Sequence, residues 1–166
     1  AETALGLGKY EQAFPDYGPE RQGAPIRAFT RMSPSPIHLH SQIEEPDVVL
    51  VLDPTLLGTM DVTDGLQSDG ILIVNTPLSP QEIRQQLHLQ TGKVFTVDAS
   101  HIALEELGRE ITNTPMLGAL AVALGLFTPE RLAEEVRRQF SKNMRPEIVE
   151  ANVRAILRAA REVQQG

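Results

Sequence analysis

The chain has 166 residues, with 15 Lys+Arg against 22 Asp+Glu for a formal charge of −7, four His and no Cys. That length suits one domain, because chains usually divide only beyond about 250–300 residues, and the acidic balance lacks the basic footprint of a nucleic-acid binder. The empty cysteine column excludes disulfides, thiolate zinc sites, a Cys nucleophile and any cysteine-held iron–sulfur cluster within this chain. No apolar run reaches the roughly 18 residues of a membrane span. The start, AETALGLGKY, shows no charged and then apolar leader pattern.

In chain order, Gly6-Leu7-Gly8 is followed by Lys9, Tyr10 and Glu11, so the third glycine of a dinucleotide fingerprint is absent and independent dinucleotide binding is not expected. Residues 10–46 are rich in proline. They read as a long loop with a hairpin-like element, two short strands being expected at 26–32 and 37–40. Val48-Val49-Leu50-Val51-Leu52, bounded by Pro46 and Pro54, is a continuous apolar run too short for a helix and fits a strand buried on both faces. Ile71-Leu72-Ile73-Val74 and Val94-Phe95-Thr96-Val97 repeat the type. Their separation of about 20 residues is too long for hairpins and implies crossover helices and a parallel sheet.

Ser79-Pro80-Gln81-Glu82 predicts a capped helix over 80–90, with Pro at its first position. A second helix is expected over 100–107, with Ile102 and Leu107 inward and Gly108 as the stop. A weak strand is assigned to 110–112. Residues 116–126, MLGALAVALGL, predict an uncharged, buried helix in which Gly118, Ala121 and Gly125 allow close approach to a neighbour. Thr128-Pro129-Glu130 starts an amphipathic helix with Leu132, Val136 and Phe140 on one face. From Pro146 a final helix carries Val149, Val153, Ile156, Ala160 and Val163 as a narrow stripe, able to seat on its own sheet or on another subunit. The fold class expected is α/β, doubly wound and mostly parallel, with helices on both faces and a C-terminal helical segment, in a single domain over 1–166.

Ligands of such sheets bind beyond the carboxyl ends of the strands. The residues just past the four predicted strands are Asp53-Pro54-Thr55, Asn75-Thr76-Pro77, Asp98-Ala99-Ser100 and Asn113-Thr114-Pro115. Hydroxyls, amides and helix N-termini converging there could hold a phosphate or carboxylate; the same residue types equally cap helices and make turns. His38 and His40 could share a strand face and clamp a metal, yet no third ligand is evident. His88 and His101, and the pairs Glu44-Glu45 and Glu105-Glu106, read as solvated surface. No nucleophile elbow or H-E-x-x-H motif is present, so the chain has no self-contained catalytic set. The loop Gly18-Pro19-Glu20-Arg21-Gln22-Gly23-Ala24-Pro25, near Lys9, Arg27 and Arg31, is either a phosphate-pairing loop or a rigid connection with Glu20 and Arg21 paired.

Many segments agree with one family at once. They are Gly8-Lys9-Tyr10, Phe14-Pro15-Asp16-Tyr17-Gly18-Pro19-Glu20-Arg21-Gln22-Gly23-Ala24-Pro25, Ala28-Phe29-Thr30-Arg31, Leu52-Asp53-Pro54-Thr55-Leu56, Val74-Asn75-Thr76, Val97-Asp98-Ala99 and Asn113-Thr114-Pro115-Met116-Leu117-Gly118-Ala119. Together they resemble the gamma subunits of pyruvate:ferredoxin oxidoreductases, among the 2-oxoacid:acceptor oxidoreductases.

The resemblance implies that pyruvate is oxidatively decarboxylated with coenzyme A, giving acetyl-CoA, carbon dioxide and reduced ferredoxin, in a cytoplasmic complex. Alpha, beta and ferredoxin-like delta partners would carry thiamine diphosphate, Mg²⁺ and [4Fe–4S] clusters, and this chain would hold none of these alone. No nucleic acid or membrane is implied, and a second copy of the chain is a further candidate partner. The implied coenzyme A or active-site edge is Gly18, Arg21, Gly23, Asp53, Thr55, Asn75, Thr76, Asn113 and Thr114. Family members begin with a strand and a glycine-rich loop, so an N-terminal βα unit is expected to be absent from this sequence. The rival readings are a freestanding flavodoxin-like nucleotide or coenzyme A module and a purely architectural subunit docking through its C-terminal stripe.

Overall fold

A computed structural model describes residues 10–16, 26–39 and 41–166. The chain forms two compact units, residues 1–44 and 45–166. In the first, β1 (Tyr10–Asp16) and β2 (Arg27–Ser33) pair antiparallel from Tyr10↔Ser33 to Asp16↔Arg27. Phe14 and Phe29 face each other across the ladder with ring centroids 5.5 Å apart. The hairpin is therefore real, but its strands are not the expected pair. Residues 10–16 hide their strand character behind Pro15, tolerated because a two-stranded ladder has free edges. Residues 37–39 form no strand. Pro34 and Pro36 supply no N–H to a ladder, and the Arg31 guanidinium takes the carbonyls of Leu39 (3.4 Å) and Ser41 (3.2 Å).

The second unit is built on a four-stranded sheet in the order β3-β4-β5-β6, with β3 (Val48–Val51), β4 (Ile71–Asn75) and β5 (Lys93–Val97) parallel. β6 (Gln164–Gln165) closes the far edge antiparallel to β5. Alternation along the strands serves two faces, as expected of a doubly wound sheet. Leu72, Val74 and Val94 pack with Ile83 of α1 (Pro80–Gln86) and with Leu57, Val62 and Leu66. Ile73, Phe95 and Val97 pack with α2 (Ala99–Leu107), α3 (Asn113–Leu124) and α5 (Pro146–Glu162). α4 (Pro129–Phe140) forms an outer layer, its Leu132, Ala133 and Val136 against Val153 and Ile156 of α5.

The β3 to β4 connection contains no α-helix. A single 3₁₀ segment, Pro54–Gly58, is followed by irregular chain. Asp53 and Asp61 each fold back on a threonine two residues on, offering the backbone a turn in place of a helix. α1 stops at Gln86, short of the expected 90, and His88 lies beyond it in the left-handed region at φ 54°. The strand expected at 110–112 does not form: Ile111 is 45% exposed, and a lone apolar residue among polar ones buries too little to hold an edge. Asn113 and Thr114 instead open α3.

The other helix signals are realised. Ser79 and Glu82 make both halves of a capping box, Gly108 and Gly125 take left-handed C-cap positions, and Thr128 caps α4. Gly118 lies against α5 so closely that a Cβ there would stand 2.2 Å from the Ile156 carbonyl oxygen. Val149, Val153 and Ile156 are buried within the unit. The C-terminal stripe therefore seats on its own chain and is not free for a neighbouring subunit.

Candidate functional site

The carboxyl ends of β3, β4 and β5 are drawn together by one side chain. Asn75, the last residue of β4 and 2% exposed, donates from Nδ2 to the Leu52 carbonyl (2.8 Å) and to Ser100 Oγ (3.0 Å), and its Oδ1 accepts from the Ser100 amide (3.1 Å). It thus links the exit of β3 to the first turn of α2. Thr76, 5% exposed, donates its backbone N–H to the Val97 carbonyl (2.9 Å), while its hydroxyl accepts from the Leu78 amide (3.2 Å). Asp98 caps α2 by accepting from the His101 amide (2.9 Å).

Asp53 is exposed, and its Oδ1 accepts from the amide (2.9 Å) and hydroxyl (2.7 Å) of Thr55. Those two donors, the hydroxyl foremost, hold its carboxyl below the ordinary aspartate value. So Asp53, Thr55, Asn75 and Thr76 do sit at one sheet edge, with Asn75 and the Thr76 amide joining neighbouring segments and Asp53 and Thr55 bonded to each other within one turn. Asn113 and Thr114 enter on a helix, where Met116 belongs to the same core cluster as Val97 and Ala99 at the end of β5. Asn113 is exposed and Thr114 is 6% exposed.

Gly18, Arg21, Gly23, Lys9 and His40 lie outside the described residues. β1 and β2 frame that loop with a ladder ending at Asp16↔Arg27. Arg31, counted with the basic cluster, has its guanidinium on Gln12 Oε1 (2.8 Å) as well as on the Leu39 and Ser41 carbonyls, so it braces the hairpin. Among the described residues no three His, Asp or Glu gather to hold a metal.

Two features escaped the sequence. Glu105 and Glu106 form ion pairs across α2 and α5: Arg158 Nη1 reaches Glu105 Oε2 (2.6 Å), and Arg154 Nε reaches Glu106 Oε2 (2.9 Å). The Arg158 bond, then the charge of His101, holds Glu105 below the ordinary glutamate value. The i, i+4 spacing of Arg154 and Arg158 was the available signal. At the opposite end of the sheet a cavity of about 80 Å³ is lined by Leu66, Gly70, Leu72, Gly92, Lys93 and Val94, among others, well below the roughly 300–1,000 Å³ of small-molecule pockets.

The model of the pyruvate ferredoxin/flavodoxin oxidoreductase family matches residues 1–162. The chain belongs to that family. Among its relatives, the pyruvate/ketoisovalerate oxidoreductases common subunit gamma of Thermococcus kodakarensis is 53% identical over 141 residues, 85% of this chain and 76% of that protein. The protein of the same name from Pyrococcus abyssi is 49% identical over 164 residues, 99% of this chain and 86% of that one. The crystal structure of pyruvate oxidoreductase subunit PORC from Thermotoga maritima superposes with a TM-score of 0.83 at 42% identity, covering 100% of this chain and 86% of that chain. The chain is a gamma-type member of the pyruvate ferredoxin/flavodoxin oxidoreductases, on the α/β fold of that subunit. Segments that carried the resemblance coincide with its closest structural joints: Val74-Asn75-Thr76 makes the strand-end clamp, and Asn113 to Ala119 opens α3 and includes the Gly118 contact.

Proposed function

We propose that this chain is the gamma subunit of a multi-subunit pyruvate:ferredoxin oxidoreductase, working with alpha, beta and ferredoxin-like delta partners. In the complex pyruvate is oxidatively decarboxylated, its acetyl group passes to the thiol of coenzyme A, carbon dioxide leaves and ferredoxin takes the electrons. The observation that carries this reading is the identity of about half to gamma subunits along almost the whole chain.

The residues present do not fit the redox groups of that reaction. A [4Fe–4S] cluster needs thiolate ligands and the chain has no cysteine. The clusters are therefore assigned to the partners, and thiamine diphosphate and Mg²⁺ are placed with them as the family resemblance implies. The gamma chain contributes a scaffold and candidate contacts to coenzyme A: Gly18, Arg21 and Gly23 in the first unit and, separately, Asp53, Thr55, Asn75, Thr76, Asn113 and Thr114 in the second. The internal engagement of Asp53, Asn75 and Thr76 favours this supporting role over a freestanding binding module. Because the Thermococcus kodakarensis and Pyrococcus abyssi relatives are named as common to pyruvate and ketoisovalerate oxidoreductases, the choice of 2-oxoacid is assigned to the partner chains.

Affinity purification of the tagged chain from its own cells tests the assembly. Recovery of alpha-, beta- and delta-type chains with bound thiamine diphosphate and iron is expected; a chain that elutes by itself at every salt concentration contradicts the reading.

A further inference from the structure

The far edge of the sheet is closed by very little chain. β6 is two residues long, and Gln164, Gln165 and Gly166 are all exposed. Their hold on β5 is a backbone ladder. Phe95↔Gln165 and Thr96↔Gln164 are in register, the Val94 amide donates to the Gly166 carbonyl (3.2 Å) and the Gly166 amide donates to the Val94 carbonyl (3.0 Å). One side chain reinforces it. Arg84, in the last turn of α1, donates to the carbonyl of Gly166 (3.1 Å) and to those of Gly92 (2.9 Å) and Thr91 (3.2 Å) just before β5. Gly166 also lies so near the start of α1 that a Cβ there would stand 2.8 Å from the Pro80 Cβ. At the other end the segment is anchored by Val163, whose amide donates to the Ala159 carbonyl (2.9 Å) and whose side chain packs on the core.

What these residues cover is a strand suited to pairing. The Lys93 amide donates to the Gly70 carbonyl and the Val97 carbonyl accepts from the Thr76 amide, so those positions serve the β4 side, and by alternation the backbone groups of Val94 and Thr96 face β6. Val94 and Thr96 are each 1% exposed, and the run Val94-Phe95-Thr96-Val97 carries no charge. A bare edge of this kind is a template for another strand. It is also complementary to itself. About a two-fold axis through Phe95, β5 of a second copy lies antiparallel with its Thr96 opposite Val94 and its Val94 opposite Thr96, so the outward N–H and C=O groups of the two copies meet each other in a closed, isologous pair.

We propose that residues 164–166 are a latched guard on the β5 edge: Arg84 holds them on Val94 and Thr96, and their release opens that edge to β5 of a second copy. The self-complementary register is what selects a second copy as the occupant. The device belongs to the fold of this chain and does not depend on the function proposed above.

The test compares the full chain with a chain cut after Val163, by sedimentation over a concentration series and by amide hydrogen exchange at Val94 and Thr96. The cut chain should self-associate at least about tenfold more tightly than the full chain, a difference that sedimentation resolves directly. Its Val94 and Thr96 amides should exchange fast when dilute and regain protection when concentrated. A folded cut chain that associates no more than the full chain, or that associates while those two amides still exchange fast, would overturn the guard. Arg84→Gln in the full chain tests the latch without removing any residue and decides the matter where the cut chain does not fold. Exchange at the Gly166 and Val94 amides should quicken about tenfold, the usual value of a hydrogen bond from a charged donor, while the β4 amides keep their protection. Unchanged exchange at Gly166 and Val94, or equal quickening throughout β4, overturns the role of Arg84.

Discussion

Asn75 carries more of the architecture than its size suggests. Its one amide, 2% exposed, satisfies the Leu52 carbonyl, the Ser100 hydroxyl and the Ser100 amide at the strand-end junction. Asn75→Ala should cost about 2–3 kcal/mol in urea unfolding, because buried donors and acceptors are left unpaired. Asn75→Asp keeps the acceptor for Ser100 but sets an oxygen against the Leu52 carbonyl. It should be destabilised at neutral pH and recover as the carboxyl protonates and can donate again. Gly118 fails for a steric reason: Gly118→Ala drives a Cβ into the Ile156 carbonyl of α5. A loss of about 3 kcal/mol is expected from separating the two helices, read from the shift of the urea midpoint. The role proposed for Arg21 is in binding coenzyme A. In the assembled enzyme Arg21→Ala should raise the apparent KM for coenzyme A with kcat little changed, and an unaltered KM removes its role with phosphate.

Among the elements, α1 was legible because its signals are local. Ser79, Pro80 and Glu82 state a capping box in four consecutive residues, and Ser79→Ala should cost about 1 kcal/mol in thermal or urea unfolding. The Ser79 hydroxyl, then its amide, holds the Glu82 carboxyl below its ordinary value. Thr63 does the same for Asp61, Arg158 for Glu105 and Arg137 for Glu150. Folded values below unfolded ones mean stability that is present above the ordinary carboxylate range and lost as pH falls through the folded values. The urea midpoint should therefore be flat near neutrality and decline below about pH 4, and Glu82→Gln should remove part of that decline. β1 and the 59–70 connection were illegible for the opposite reason. β1 gains its ladder from a strand whose partner residues lie 11 to 23 positions away, from Asp16↔Arg27 to Tyr10↔Ser33, and no periodicity announces it. The connection follows side chain to backbone bonds of Asp53 and Asp61, which residue patterns alone do not distinguish from helix caps.

For the whole molecule, the three parallel strands and the helices were written in apolar runs and punctuation, and their pairing followed from spacing, although β3, at the sheet edge, is half-buried over 48–50 where burial on both faces was expected. The site was legible only as a place. Sequence put Asp53, Asn75, Thr76 and Asp98 at one edge, but it could not say that Asn75 would spend its amide on Leu52 and Ser100, since that depends on the register bringing Asn75 beside Ser100. Nor could it distinguish the C-terminal stripe as core from interface; that was decided by α3 and α4, which take Val153 and Ile156 into the chain's own interior. What remains for partners is chemistry this chain does not carry, as a gamma-type member of its family with no thiol to ligate iron. The central claim is that the chain is required by a reaction whose cofactors reside elsewhere. The most direct measurement is pyruvate- and coenzyme A-dependent reduction of a viologen dye by alpha, beta and delta chains purified with thiamine diphosphate, with and without this chain. The account predicts activity restored in proportion to added gamma chain up to saturation and none from the gamma chain by itself; equal activity without it would contradict the account.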